Sequence, residues 1–183
     1  MTHPLVNFLA FQLGWFAACL GAAQGWPIFG PIYSCLWLSL HLRSLGNAWG
    51  LELRLLLLAA LLGYFADSLL VVCGLLAFPE QAMLGAPSPV WMVVLWVNLA
   101  ATLRHCLKWL RGMPPIIAAV LGAVAGPFSY FAGAKLGAVV LTQPPLSLAA
   151  IAMEWALATP ALIGLTLWLE SRAKAEVLPT IGN

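Results

Sequence analysis

Residues 53–78 read LRLLLLAALLGYFADSLLVVCGLLAF, and this stretch decides the fold class of the protein. After Arg54 it carries one charged residue, Asp67, and it is longer than the ~20 apolar residues that a helix needs to cross a bilayer. A single segment can lie in lipid only as a helix, because a helix satisfies its own backbone hydrogen bonds. The stretch therefore predicts a membrane-spanning helix with an ionisable side chain inside it.

The rest of the 183-residue chain has the same character. It is 63% hydrophobic and 8% charged, whereas soluble domains carry about 25% charged residues. A net charge of +2 gives no electrostatic support for binding nucleic acid. We therefore expect one all-α integral membrane domain over residues 1–183, surrounded by membrane lipids.

Five further apolar stretches are separated from this one and from each other by segments rich in glycine and proline. The six predicted transmembrane helices cover residues 5–23, 27–45, 53–78, 89–107, 115–141 and 147–169. Proline is tolerated at the first turn of a helix, where its missing N–H is not needed. The sequence predicts a polytopic bundle of six transmembrane helices.

The basic residues predict the orientation of this bundle. They flank the second and fourth loops and follow the last helix, whereas the first, third and fifth loops have none. The seven residues concerned are Arg43, Arg54, Arg104, Lys108, Arg111, Arg172 and Lys174. Lysine and arginine are enriched in cytoplasmic loops, so we expect both termini in the cytoplasm of a bacterium and the protein in its inner membrane.

Three ionisable residues lie within the predicted spans: Asp67, Lys135 and Glu154. At about 1.5 Å per residue, they lie roughly 16, 9 and 10 Å below the outer ends of helices 3, 5 and 6. Charge in hydrocarbon is costly, so such residues usually face the bundle interior and find partners. We expect Lys135 and Glu154 to face each other, with Asp67 close by.

Three interpretations of this trio stay open. In the first, the side chains line a polar pocket in the outer half of the bundle. In the second, they form an ion pair that only positions the helices. In the third, Lys135 extends outwards, as long basic side chains do at membrane interfaces.

Other polar groups belong to the same hypothesis. Tyr130 lies three residues after Pro127, which lacks an N–H and so frees the carbonyl of Ala123. Helices broken in this way often line the binding sites of transporters. A plain proline kink is the alternative, since membrane helices tolerate it. Gln12 and Asn98 lie inside helices 1 and 4, where they could simply form hydrogen bonds between helices. The candidate ligand-binding residues are Asp67, Lys135, Glu154, Tyr130, Asn98 and Gln12.

Small residues recur at four-residue spacing on two helices. They are Ala10, Gly14, Ala18 and Ala22 on helix 1, and Ala118, Gly122 and Gly126 on helix 5. Such faces let helix backbones approach closely. Either they pack inside the protein, or they dock a membrane-protein partner.

Motifs for catalysis and for metal binding are missing from the sequence. There is no Gly-x-Ser-x-Gly elbow, Walker loop or His-Glu-x-x-His pair. The four cysteines show no metal-ligand spacing, and His3, His41 and His105 give no support for haem ligation. We predict no catalytic residue, no metal site and no cofactor.

Several short motifs nevertheless resemble a known family. They are Phe11-Gln12-Leu13-Gly14-Trp15-Phe16, Asp67-Ser68-Leu69-Leu70, Trp91-Met92-Val93-Val94-Leu95-Trp96 and Gly126-Pro127-Phe128-Ser129-Tyr130. They are similar to a family of proteobacterial inner-membrane proteins designated domain of unknown function 2878. The resemblance covers nearly the whole chain, and it implies membrane location and topology but no activity.

A looser likeness concerns architecture alone. Substrate-binding subunits of energy-coupling-factor vitamin transporters are also small six-helix proteins with both ends cytoplasmic. The leading hypothesis is a transporter-like protein that binds a small solute or lipid headgroup in an outer-half pocket. The alternatives are an enzyme or accessory subunit of a lipid-modifying system, and a structural membrane partner without a ligand.

Overall fold

The computed structural model describes residues 3–177, and within that range the chain forms six α-helices, as predicted. They are α1 (Pro4–Ala23), α2 (Phe29–Ser44), α3 (Trp49–Val72), α4 (Val90–Leu103), α5 (Pro115–Leu136) and α6 (Pro144–Val177). Short 3-10 turns lie at Gly46–Ala48, Glu80–Ala82 and Lys108–Gly112. The helices begin and end within a few residues of the predicted positions at most boundaries.

Two short strands depart from the all-α prediction. Strands β1 (Leu76–Ala77) and β2 (Val140–Leu141) pair antiparallel, although both had been predicted as the ends of helices 3 and 5. The helices stop earlier because Gly74 and Gly137 adopt left-handed φ values of 67° and 87°, which glycine reaches without strain. Hydropathy alone cannot separate the last turn of an apolar helix from an apolar strand.

The loops divide between two ends of the bundle. At one end, Thr142 Oγ1 and Ser147 Oγ donate hydrogen bonds of 2.6 Å to the carbonyls of Gly74 and Leu75, which joins the loop before α6 to the loop after α3. We call this the strand end, since it holds β1 and β2. We call the opposite end the charged end; it holds residues 45–48, residues 104–114 and the last turns of α6.

Four helical segments among the described residues are long and apolar enough to cross a membrane: Pro4–Ala23, Gly46–Val72, Pro115–Leu136 and Pro144–Ala175. Helices α2 and α4 have 16 and 14 residues. At about 1.5 Å per residue they reach roughly 24 and 21 Å, less than the ~30 Å hydrocarbon core. Large apolar side chains are exposed along the outside of the bundle, as on a protein surrounded by lipid.

The small-residue faces of α1 and α5 are buried inside this chain. On α1, a Cβ at Gly30 of the neighbouring helix would lie 2.7 Å from Ala18, so the two backbones touch. On α5, Gly122 and Gly126 lie directly against Trp155 of α6, with no room for a Cβ. Internal packing therefore uses both faces, which is the first of the two alternatives given for them.

Neither internal proline divides its helix. Helix α5 is continuous through Pro127, and α6 is continuous through Pro160. Of the two alternatives for helix 5, the continuous helix agrees with the plainer one, a proline tolerated within a helix, and not with a broken helix. Neighbouring helices make such prolines acceptable in a membrane segment.

Candidate functional sites

Asp67 is fully buried in the middle of α3 and is held from two other helices. Trp96 Nε1 of α4 donates a hydrogen bond of 2.9 Å to Asp67 Oδ2. The hydroxyl of Tyr130 on α5 donates a short hydrogen bond to Asp67 Oδ1. One carboxyl group thus joins three helices, and the prediction that Asp67 faces the interior agrees with this structure.

Glu154 of α6 belongs to the same polar region. Its carboxyl group interacts electrostatically with Asp67 and with Tyr130. Both Glu154 carboxyl oxygens are buried without a hydrogen-bond partner among the described residues. Burying a polar group without a partner is unfavourable, so these oxygens lack the compensation that a hydrogen bond would give. We call Asp67, Tyr130 and Glu154 the central cluster.

Lys135 is not part of the central cluster, which corrects the expected Lys135–Glu154 pair. Its side chain is exposed, and its Nζ lies 5.2 Å from the ring centre of Phe131. Within the described residues it forms no ion pair with Glu154. The long alkyl chain lets the ammonium group leave the hydrocarbon, as in the third interpretation above.

Asn98 and Gln12 lie at the contact between α1 and α4, apart from the central cluster. Asn98 is buried, and its Nδ2 donates a hydrogen bond of 3.0 Å to the Phe11 carbonyl. It fits there because Gly14 of α1 has no side chain to displace it. Gln12 is half-buried on α1. Asn98 therefore joins two helices, the plainer of the roles predicted for it.

A cavity of about 350 Å³ lies between α1, α4, α5 and α6. Most of its lining is aliphatic or aromatic, from Trp15 near one end to Trp109 near the other. Besides the indole N–H groups of its tryptophans, its polar side chains carry hydroxyl groups. They belong to Ser129, Tyr130 and Thr159. The cavity therefore meets the central cluster at Tyr130 and is otherwise suited to an apolar molecule.

Two stacked indole rings form part of the cavity wall. The ring centres of Trp96 and Trp155 are 4.3 Å apart, with their planes at 19°. Trp96 reaches this position because Gly63 on α3 leaves room for its ring. The same Trp96 ring carries the N–H that holds Asp67, so the cavity wall and the central cluster share one side chain.

A second buried polar group lies at the charged end, around Glu52. Glu52 is fully buried, and its Oε1 lies 3.1 Å from His41 Nε2 and 3.6 Å from His105 Nε2. Its other oxygen, Oε2, accepts a hydrogen bond of 2.5 Å from Arg104. The four residues come from α2, α3 and the turn after α4.

Arg104 continues this network towards α6. Its Nε donates a hydrogen bond of 3.0 Å to Glu170 Oε1, and Arg111 contacts both Glu170 oxygens at 2.9 and 3.0 Å. Burial disfavours the charged form of Arg104, but the carboxylates of Glu52 and Glu170 outweigh this effect and raise its pKa. We call Glu52, His41, His105, Arg104 and Glu170 the charged-end cluster.

Sequence reasoning missed the charged-end cluster. His41, Arg104 and His105 were assigned to the cytoplasmic ends of helices, and basic residues there were read as an anchor that the positive-inside rule explains. One residue could have indicated this cluster: Glu52 is an acidic residue in the first turn of an apolar helix, at an end of the bundle where most charged residues are basic. The contacts themselves join three separate segments, which sequence spacing cannot reveal.

These features define a helical protein with four segments of membrane-spanning length, an apolar cavity and two buried polar clusters. The sequence model of the family described as "Protein of unknown function (DUF2878)" matches residues 4–161. The chain therefore belongs to the DUF2878 family, which confirms the resemblance stated above. No curated protein matches the chain, and no solved structure matches it. The likeness to energy-coupling-factor subunits thus stays a prediction.

Proposed function

We propose that this protein crosses the bacterial inner membrane six times, with both termini in the cytoplasm, and binds one lipid-like molecule in its cavity. The molecule places an apolar chain between α1, α4, α5 and α6. Its polar end, a hydroxyl or an amine, meets the central cluster.

The arrangement of loops supports the six crossings. The third and fifth loops share the strand end, and in the first loop a Cβ at Gly25 would lie 3.7 Å from Cβ of Gln81 in the third. The second and fourth loops share the charged end through the contact between Arg104 and Glu52. Successive helices therefore run in opposite directions, and the basic residues collect at one end. The positive-inside rule puts that end in the cytoplasm.

The size and the apolar lining of the cavity are the observations that support a lipid-like ligand. Ligand sites in proteins are commonly ~300–1,000 Å³, mostly apolar, with a few polar groups that fix orientation. The present cavity of about 350 Å³ has this composition. A small polar solute would lose its hydration against this lining, so the solute part of the earlier hypothesis is less favoured.

The central cluster selects the polar end of the ligand. Tyr130 is the member of this cluster that lines the cavity, so the polar end of the ligand would have to pass Tyr130 to reach the unpartnered Glu154 oxygens. Asp67 already accepts bonds from Trp96 and Tyr130. A ligand group that donates hydrogen bonds is therefore favoured over an anionic one, because Asp67, Tyr130 and Glu154 include no cation that could pair with an anion.

Native mass spectrometry of the wild-type protein, released from mild detergent, tests this proposal. We expect one lipid-like mass to stay bound per chain at collision energies that remove detergent. Fragmentation of the adduct should show a hydroxyl or amine head and no phosphate monoester. A spectrum of bare protein alone, or of several interchangeable lipids lost together with detergent, would contradict the proposal.

A further inference from the structure

We propose that His41, Glu52 and His105 form a binding site for a divalent transition-metal ion. The site lies at the charged end, none of its three residues lines the cavity, and it does not depend on the function proposed above. Its ligand atoms would be His41 Nε2, Glu52 Oε1 and His105 Nε2, which all lie within 4.8 Å of one another.

The distances between these atoms suit a shared ion. Nitrogen and oxygen ligands bind zinc at about 2.0–2.2 Å, so two ligands at a tetrahedral angle lie roughly 3.4 Å apart. Glu52 Oε1 lies 3.1 Å from His41 Nε2 and 3.6 Å from His105 Nε2. Small rotations of the two imidazole rings would bring all three atoms onto one ion.

His105 gives an independent indication of a missing ligand. Its Nε2 is buried without a hydrogen-bond partner among the described residues, although it points towards Glu52. The rings of His41 and His105 meet edge to face, with centres 4.7 Å apart and planes at 83°. Both rings therefore direct an Nε2 atom at the same carboxylate oxygen, and a metal ion between them would satisfy all three atoms.

The two carboxylate oxygens of Glu52 contact different partners. Oε2 is held by Arg104, which fixes the carboxylate and leaves Oε1 facing the imidazoles. Outer hydrogen bonds of this kind orient metal ligands. Arg104 places a positive charge beside the site, and Glu170, which contacts the same guanidinium at 3.0 Å, offsets that charge only in part because Arg111 contacts both Glu170 oxygens.

The ligand set indicates the class of metal. Two imidazoles and one carboxylate suit zinc, iron, cobalt or manganese, whereas magnesium and calcium prefer oxygen ligands alone. Three protein ligands leave a fourth position open to water or a substrate oxygen. The site therefore favours Zn²⁺ and Co²⁺ over Mg²⁺.

The test uses the full chain purified through an affinity tag that contains no histidine. After treatment with EDTA, the protein is titrated with Co²⁺ and followed by visible absorption, and with Zn²⁺ in competition. We expect one ion per chain. His105→Ala should weaken Zn²⁺ binding by at least about a hundredfold, since even indirect partners of metal ligands contribute 10–100-fold. His3→Ala, at an exposed histidine, should leave binding unchanged.

Thermal unfolding distinguishes a variant that has lost only the metal from a variant that has misfolded. In the wild type, Zn²⁺ should raise the melting temperature, because it binds only the folded state, and Mg²⁺ should not. The more conservative His105→Gln variant should keep the fold and lose that rise. A wild-type protein that takes up no ion, or a His105→Gln variant that binds and responds like the wild type, would overturn the metal site in favour of an ion-pair network.

Discussion

The hydroxyl of Tyr130 on α5 donates a hydrogen bond to Asp67 Oδ1 on α3, while Trp96 of α4 holds the other carboxyl oxygen. Three helices that are distant in sequence thus meet at one buried carboxyl group. Tyr130 also lines the cavity, so the side chain that stabilises the bundle borders the proposed ligand site.

Tyr130→Phe should destabilise the fold without changing its packing volume. The variant leaves Asp67 Oδ1 buried with one partner fewer, which we expect to cost about 1–3 kcal/mol of unfolding free energy. Reversible unfolding in mixed detergent micelles measures this cost. Tyr64→Phe is the matched control, because the bond from Tyr64 to the Ala86 carbonyl is exposed and the carbonyl can be hydrated instead. Equal losses in both variants would contradict the structural role of Asp67.

Gly63→Ala should disturb the cavity wall. A Cβ at this position would overlap the Trp96 ring, so the ring must move away from Trp155. Overpacking of this kind typically costs about 1–3 kcal/mol. Gly50→Ala is the control, since nothing lies within 4 Å of a Cβ there, and replacing a helical glycine should stabilise the protein by up to about 1 kcal/mol. Near-UV circular dichroism reports the indole stack, and an unchanged spectrum in Gly63→Ala would contradict this packing.

Glu52→Gln should destabilise the charged end even when no metal is present. The amide keeps the shape of the side chain but leaves Arg104 without one of its two carboxylates. Breaking a buried ion pair by removing one partner costs about 3–5 kcal/mol, and we expect the lower part of that range because Arg104 is half-buried.

Thermal melting in EDTA measures this loss apart from any effect of metal. The exposed Glu80 provides the control, and Glu80→Gln should leave the melting temperature unchanged. If Glu52→Gln is as stable as the wild type, the charged-end cluster does not stabilise the fold.

Cysteine labelling tests the six crossings. The native cysteines, of which Cys35 and Cys73 are exposed, are first replaced by serine or alanine. Single cysteines at positions 80 and 143 should then react with a membrane-impermeant maleimide in intact cells. Cysteines at positions 47 and 112 should react only after the membrane is opened. Reversed labelling at two of these four positions would contradict the proposed orientation.

The sequence predicted the helices better than it predicted their side-chain contacts. The number of helices followed from hydropathy, and the interior position of Asp67 followed from the cost of a carboxylate in lipid. Lys135 was misplaced because depth along a helix does not say which face a residue occupies, and a lysine can reach water from several positions. The ends of helices 3 and 5 were misplaced because Leu76 and Val140 are apolar in a strand as well as in a helix.

The cavity and the contacts around Glu52 could not be predicted for a different reason. The cavity exists because α4 and α5 stand apart around the stacked rings of Trp96 and Trp155, which no local pattern encodes. The contacts of His41 and His105 with Glu52 depend on how α2, α3 and α4 converge at the charged end. Residue types suggested a polar pocket at Asp67, Tyr130 and Glu154, but they suggested neither the apolar cavity beside it nor the contacts around Glu52, because the residues there are ordinary members of apolar helices and of cytoplasmic anchors.

The proposed ligand site is tested most directly by a pair of variants on adjacent positions of α5. Both side chains are exposed, but Ala125 lines the cavity, whereas Val124, which is 67% exposed, does not. Ala125→Phe should fill space that the ligand chain occupies. Displacing two methylene groups, at about 0.8 kcal/mol each, should lower lipid retention more than tenfold.

Native mass spectrometry of both variants beside the wild type gives the answer. We predict that Ala125→Phe loses the bound lipid-like mass while keeping its melting temperature, and that Val124→Phe retains the mass as the wild type does. Equal retention in Ala125→Phe and Val124→Phe would contradict the assignment of the cavity as the binding site.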